Sequence, residues 1–183
     1  MKTVFFDIDT QIDFLYPAGA LFVPGAARIL PAVAELNRRA PLVISTMCAH
    51  AEDDPEFKAY PHHCVTGTMG QQKPQILLCE KRAPIASRVE GAQQIILEKN
   101  ELNCFSNPHL TPLLNELKAD RYVVYGVVTE ICVRLCAFGL LKTGKQVDIV
   151  TDAVKALDEA TATNMYLQFT AAGGRLTTVG QVG

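Results

Sequence analysis

Arg121-Tyr122-Val123-Val124-Tyr125-Gly126-Val127-Val128-Thr129-Glu130-Ile131-Cys132 decides the fold of this chain. Residues 122–128 are apolar or β-favouring with only Gly126 interposed, which predicts a strand buried on both faces. Residues 131–142 then take up helical spacing, so a strand runs almost directly into a helix. The same alternation extends in both directions. Strands are predicted over residues 4–8, 42–46, 94–98, 121–128, 146–151 and 175–179, and helices over 26–39, 108–118, 131–142 and 158–172. Within 26–39, Ile29, Leu30, Val33, Leu36 and Asn37 share one face, and Pro31 fits only in the first turn. Residues 47–92 carry Pro55, Pro61, Pro74 and Pro84 and read as a long, irregular, functional excursion. Continuous apolar strands alternating with helices imply an α/β fold whose parallel sheet is covered on both faces.

The chain has 183 residues, 49% hydrophobic and 20% charged. That length predicts a single domain, 1–183. The formal net charge is −2, which argues against a broad nucleic-acid footprint or a polybasic membrane surface. The six cysteines include no C-x-x-C pair, so thioredoxin-like chemistry and a zinc ribbon lose support. The opening run Met1-Lys2-Thr3-Val4-Phe5-Phe6-Asp7 is broken by a carboxylate and does not read as a signal peptide. No stretch approaches the roughly 18 apolar residues of a spanning helix. The expectation is a soluble, cytoplasmic protein with mostly reduced thiols. Dinucleotide and P-loop signatures are absent.

Parallel sheets bind ligands beyond the carboxyl ends of their strands. Asp9, Gln11 and Asp13 follow the first strand, Cys48 and His50 the second, Lys99 the third, and Thr129-Glu130-Ile131-Cys132 the strongest one. Cys132 stands where a helix begins, so free N–H groups and the helix dipole would favour its thiolate. The same N–H groups can hold the oxyanion formed when a thiolate attacks a carbonyl. A nearby carboxylate can take the thiol proton, and a lysine can supply positive charge. Taken singly, Cys132 reads as a small buried residue, Asp9 as a strand-end cap and Lys99 as a solvated lysine. Their convergence on one sheet edge is what favours chemistry.

These residues resemble a known family. Asp9-Thr10-Gln11-Ile12-Asp13-Phe14 resembles the D-x-Q-x-D-F opening of the isochorismatase-like cysteine hydrolases. Gly126-Val127-Val128-Thr129-Glu130-Ile131-Cys132-Val133 resembles their G-x-x-T-x-x-C-V signature, and Lys99 followed by Phe105 resembles the lysine segment between them. Gly19-Ala20-Leu21, Pro24-Gly25-Ala26 and His63-Cys64-Val65-Thr66-Gly67-Thr68 with Gly70 match further landmarks. The resemblance implies a three-layer α/β/α fold with a six-stranded parallel sheet. It also implies an Asp9, Lys99, Cys132 triad that cleaves a C–N bond through a thioester. Asp9 would be the base, Lys99 the charge stabiliser, and the N–H groups of Val128 and Cys132 the oxyanion hole, often with a cis peptide before the residue matching Val128. True isochorismatases lack the cysteine, so its presence favours the amidase branch.

Nicotinamidases of this family bind a divalent metal through histidines and the aspartate of a D-x-H step. Here that step is Cys48-Ala49-His50. His63 matches a second histidine, and a third falls near Glu56, which can still ligate. The resemblance therefore implies a divalent metal (zinc, iron or manganese) on Cys48, His50 and His63, or a lost site whose histidines only hydrogen-bond. Phe14 matches the ring that packs on nicotinamide, and Tyr60 lies where those enzymes often have tryptophan. The implied partner is a small amide substrate, with no nucleic acid or membrane, in a homo-oligomer. A nicotinamidase-like substrate is the first expectation, and a carbamoyl or ureido compound handled without metal is the alternative. A haloacid-dehalogenase-type phosphatase is a weaker rival. Asp7-Ile8-Asp9 supplies its D-x-D step, but Gln11 stands where that motif wants Thr or Val, and Cys132 would have no role. A non-catalytic binding protein on the same fold is a further reading.

Overall fold

A computed structural model describes residues 1–86 and 91–183. Seven strands form one parallel sheet: β1 (Thr3–Ile8), β2 (Val43–Cys48), β3 (Arg82–Pro84), β4 (Gln94–Lys99), β5 (Arg121–Val127), β6 (Gln146–Lys155) and β7 (Arg175–Thr177). Their spatial order is β3-β4-β2-β1-β5-β6-β7. Helices α1 (Ile12–Leu15), α2 (Leu30–Arg39), α3 (Leu110–Leu117), α4 (Arg134–Leu141) and α5 (Glu159–Ala171) complete a three-layer α/β fold. No described helix is long and apolar enough to cross a membrane.

The sheet thus has seven strands where the sequence predicts six. The additional strand is the three-residue β3, which pairs only with β4, at the sheet edge. It contains Pro84, and proline cannot donate to a ladder, so its pattern does not announce a strand. Every residue of β2 and β5 is buried, as expected of strands covered on both faces. β6 runs on to Lys155, and its pairing with β5 shifts register between Val124 and Gly126. The helix expected at 26–39 enters as a 3-10 turn over Ala26–Ile29 and becomes α2 with Pro31 in its first turn. The helix expected at 131–142 begins as a π turn over Thr129–Val133 before α4.

The topology locates the site. Strands β1–β4 fill one side, with β1 innermost, and the chain then restarts with β5 on the other, so the switch point lies between β1 and β5. The crevice at their carboxyl ends is the natural ligand position. Asp9 follows β1 and the Thr129–Val133 turn follows β5.

A buried polar network under this crevice explains why Asn37 shares the apolar face of α2. Asp7 is fully buried. It accepts hydrogen bonds from Thr10 Oγ1 (2.6 Å), Ser45 Oγ (3.1 Å), Lys73 Nζ (3.2 Å) and Asn37 Nδ2 (3.2 Å). Asn37 also donates to the Leu77 carbonyl (2.8 Å) and accepts from the Tyr125 hydroxyl (2.6 Å). Buried polar groups are tolerated only when paired in this way. Asn37→Ala strips the buried Tyr125 hydroxyl of its acceptor, while the Leu77 carbonyl keeps the Gln94 amide as donor (3.1 Å). We expect a loss of about 2 kcal/mol, from roughly 1–3 kcal/mol for a buried group left unsatisfied. Urea unfolding checks this as a lower midpoint at unchanged slope.

Candidate active site

Three strand ends deliver the three residues expected to act together. Asp9 follows β1 with φ +47°, a left-handed conformation uncommon outside glycine. Its Oδ1 accepts from Thr46 Oγ1 on β2 at 2.6 Å, and its Oδ2 lies 2.9 Å from Lys99 Nζ at the end of β4. Cys132, in the π turn after β5, is in hydrogen-bonding contact with the same carboxylate. All three side chains are buried. π turns recur at functional sites because the extra residue re-aims the side chains around it. The Val127–Val128 peptide immediately before this turn is cis.

The electrostatics follow from this packing. Burial alone would raise the Asp9 carboxyl, but Lys99 and the hydrogen bonds from Thr46, Lys99 and Cys132 hold it below the usual carboxylate range. Burial opposes the Lys99 charge, yet Asp9, with Cys132 and Cys48 beside it, keeps the ammonium well above the ordinary lysine value. Burial pushes the Cys132 thiol well up, with Asp9 adding to the rise and Lys99 opposing it. This corrects the expectation that the helix start would favour a resting thiolate. The resting arrangement is an ionised Asp9, a charged Lys99 and a protonated thiol beside the carboxylate.

The rest of the opening motif joins the surrounding loops. Gln11 donates to the Cys48 and Gln71 carbonyls (2.8 Å each) and accepts from the Cys48 N–H (2.7 Å). The Asp13 carboxylate accepts from the N–H groups of Ala20 (2.9 Å) and Cys64 (2.7 Å). Gly70 approaches Asp13 so closely that a Cβ there would sit 2.2 Å from Oδ2. Within D-x-Q-x-D, then, the first aspartate faces the pocket while the glutamine and second aspartate close its loops. Asp7 is held by four donors beneath the sheet, so Asp7 and Asp9 do not face one site as the phosphatase reading requires.

A second cluster stands beside the first. His50 and His63 have ring centroids 4.8 Å apart. One ligand atom each from His50, Glu56 and His63 lies within 4.8 Å of the others. His50 Nδ1 is 3.0 Å from Asp54 Oδ2, and His63 Nδ1 is 2.8 Å from the Pro61 carbonyl. Each ring is thereby oriented with Nε2 toward the cluster. His50 Nε2 is buried without a hydrogen-bond partner. Burial lowers the His63 pKa, the Pro61 hydrogen bond opposes this and the neighbouring His50 adds to it, so the ring favours the neutral, ligating form. Two imidazole nitrogens and a carboxylate form the donor set of many open divalent-metal sites, and an orphaned, inward-facing nitrogen fits such a use.

Cys48 does not belong to this cluster, contrary to the expected ligand set. Its Sγ accepts from Lys99 Nζ at 3.2 Å. Burial, with Asp9 adding and Lys99 opposing, pushes its thiol up to about 12, so it stays protonated as a neighbour of the lysine. Glu56 stands with the histidines in its place. Phe14 and Tyr60 both line the pocket above Asp9 and Cys132, together with Val127 and Val128. The sequence reading did not assign Leu21, Phe22, Val23, Leu102 and Leu157 to the pocket that they line. Scattered apolar residues on loops give no periodic signal.

The isochorismatase domain matches residues 3–181 of this chain. A nicotinamidase from Acinetobacter baylyi is 24% identical over 172 residues, spanning 82% of this chain and 80% of that protein. Among solved structures, a pyrazinamidase of Pyrococcus horikoshii in complex with zinc is 26% identical with a TM-score of 0.84, covering 97% of this chain and 99% of that one. PnC1 from L. infantum in complex with nicotinate superposes with a TM-score of 0.86 at 24% identity, covering 98% and 93%, a likeness of fold. Since the domain match runs through almost the entire length, this chain belongs to the isochorismatase family.

Proposed function

We propose that the protein is an amidohydrolase that cleaves the C–N bond of a small amide, nicotinamidase-like in its chemistry, with Cys132 as nucleophile. One observation carries this reading: a buried thiol and a buried ammonium both contact a single buried carboxylate at the switch point of the sheet. The nicotinamidase and pyrazinamidase relatives support the reaction class.

The proposed sequence starts with transfer of the Cys132 proton to Asp9 as Sγ attacks the amide carbonyl carbon. The carbonyl electrons move onto oxygen, where the N–H groups of Val128 and Cys132 receive the negative charge. The intermediate collapses, the C–N bond breaks, and Asp9 returns its proton to the leaving amine. A water molecule, deprotonated by Asp9, then attacks the thioester and frees the acid and the Cys132 thiol. Lys99 holds Asp9 in place and lets it ionise in a buried setting. His50, Glu56 and His63 are the residues that would hold a divalent metal. When bound, such a metal would supply a Lewis-acidic anchor for a lone pair of the substrate.

Cys132→Ala is expected to abolish ammonia release from nicotinamide, the first amide to assay, while leaving the circular dichroism spectrum unchanged. Hydrolysis surviving in that variant would rule out the thioester route. Asp9→Asn is expected to lower kcat at least about a hundredfold, the low end for losing a general base. Because Asp9 is depressed and Cys132 and Lys99 are raised, the triad is correctly protonated throughout the neutral range. The pH profile of kcat/KM should therefore stay flat from about pH 5 to pH 8, with an acid limb below the usual carboxylate range. For the second cluster, elemental analysis of protein incubated with zinc and then desalted should show retained metal, lost in His63→Ala.

A further inference from the structure

We propose that Leu157, held in place by Glu130, is the wall of this pocket that discriminates between acyl groups by their apolar bulk. The inference rests on the amidohydrolase reading and names a specificity-determining residue for it.

Leu157 lies between β6 and α5 and lines the same pocket as Asp9 and Cys132. It is 55% exposed, so apolar surface is presented at the pocket mouth with no protein partner to cover it, and a bound apolar group would cover it. Its position is nevertheless specified from both sides. Glu130 Oε1 accepts from the backbone N–H groups of Leu157 (2.9 Å) and Asp158 (2.8 Å). Asp158 in turn caps α5 by accepting from Thr161 N–H at 2.7 Å. Glu130 stands two residues before Cys132 in the turn that carries the nucleophile. One side chain thus couples the position of the wall to the position of the sulfur. Glu130 does not line the pocket, so it acts here as a positioning residue.

The remaining lining agrees with an apolar, uncharged acyl group. Ile131, Leu21, Phe22 and Leu102 share the pocket with Leu157. Among the described residues no arginine or lysine lines it, and the carboxylates that do are Asp9 and Glu56. Lys99 beneath is taken up by Asp9 and Cys48. A substrate carboxylate would therefore meet no free cation among the described lining residues, which favours neutral amides over ureido acids.

The test compares kcat/KM for benzamide with kcat/KM for acetamide. Leu157→Ala is expected to lower that ratio about tenfold, the low end for apolar groups removed from a specificity pocket, through KM rather than kcat. Glu130→Ala is expected to lower it comparably. Glu130→Gln, whose amide oxygen still accepts both N–H groups, is expected to keep it within about twofold, a rescue that a general loss of stability would not show. A ratio unmoved by Leu157→Ala overturns the proposal. Calorimetric binding of both amides to Cys132→Ala, with and without Leu157→Ala, separates this inference from the reading beneath it. If no amide is hydrolysed but Leu157→Ala weakens benzamide binding about tenfold, the amidase reading fails and the wall stands. If benzamide binds no tighter than acetamide, the wall fails whatever the turnover.

Discussion

The carboxylate of Asp9 is the constraint on which the site depends. It is buried beside an equally buried ammonium, and two such charges are costly to withdraw from water unless geometry and hydrogen bonding offset the loss. Here the offset comes from separate elements: Lys99 from the end of β4, Thr46 from β2 and Cys132 from the turn after β5. Any shift of one strand end against another would leave a buried charge unpaired. The ion pair therefore ties Asp9, Lys99 and Cys132 to the register of the sheet, and it keeps Asp9 ionised where an isolated buried acid would take up a proton.

A second polar layer supports the first. Asp7, two residues earlier on β1, binds Lys73, Asn37, Ser45 and Thr10 below the crevice. Gln11 and Asp13 tie in the loops around Cys48, Gln71, Ala20 and Cys64. The opening motif is thus mostly a device for holding backbone. Asp9 contacts Lys99 and Cys132, whereas Gln11 and Asp13 spend their hydrogen bonds on main-chain N–H and carbonyl groups that would otherwise be unsatisfied.

The thiols show how far position along the chain informs chemistry. Cys48 ends β2 and Cys132 follows β5; both sit within reach of Lys99, and burial raises both. They differ in geometry: Cys132 meets the Asp9 carboxylate as a donor, whereas Cys48 accepts from Lys99. Cys136 lies in hydrogen-bonding contact with Cys104, and the Cys79 thiol reaches the Asn37 carbonyl at 3.6 Å. These are packing roles that spacing alone did not reveal. The cluster of His50, Glu56 and His63 follows the same lesson. The two histidines could be read from the chain, but the choice between Cys48 and Glu56 as third donor required knowing which side chain the lysine already occupied.

Strong local signals were determined by the sequence itself. The continuous apolar run at 122–128, the helical spacing of α2 and the alternation of strand and helix depend on short-range pattern, and a parallel sheet is the one arrangement that buries them all. The order of Asp9, Lys99 and Cys132 after successive strands then follows, because parallel strands deliver their carboxyl ends to one edge. Only the tertiary structure decided what depends on contacts between distant loops. The edge strand β3 exists because β4 offers it a ladder. The Cys132 thiol is raised first by burial, with a carboxylate more than a hundred residues away adding to the rise. The pocket wall at Leu157 is placed by Glu130 across a gap of |i−j| = 27. Those features arise from burial, charge proximity and hydrogen bonds made through space, which no local pattern encodes.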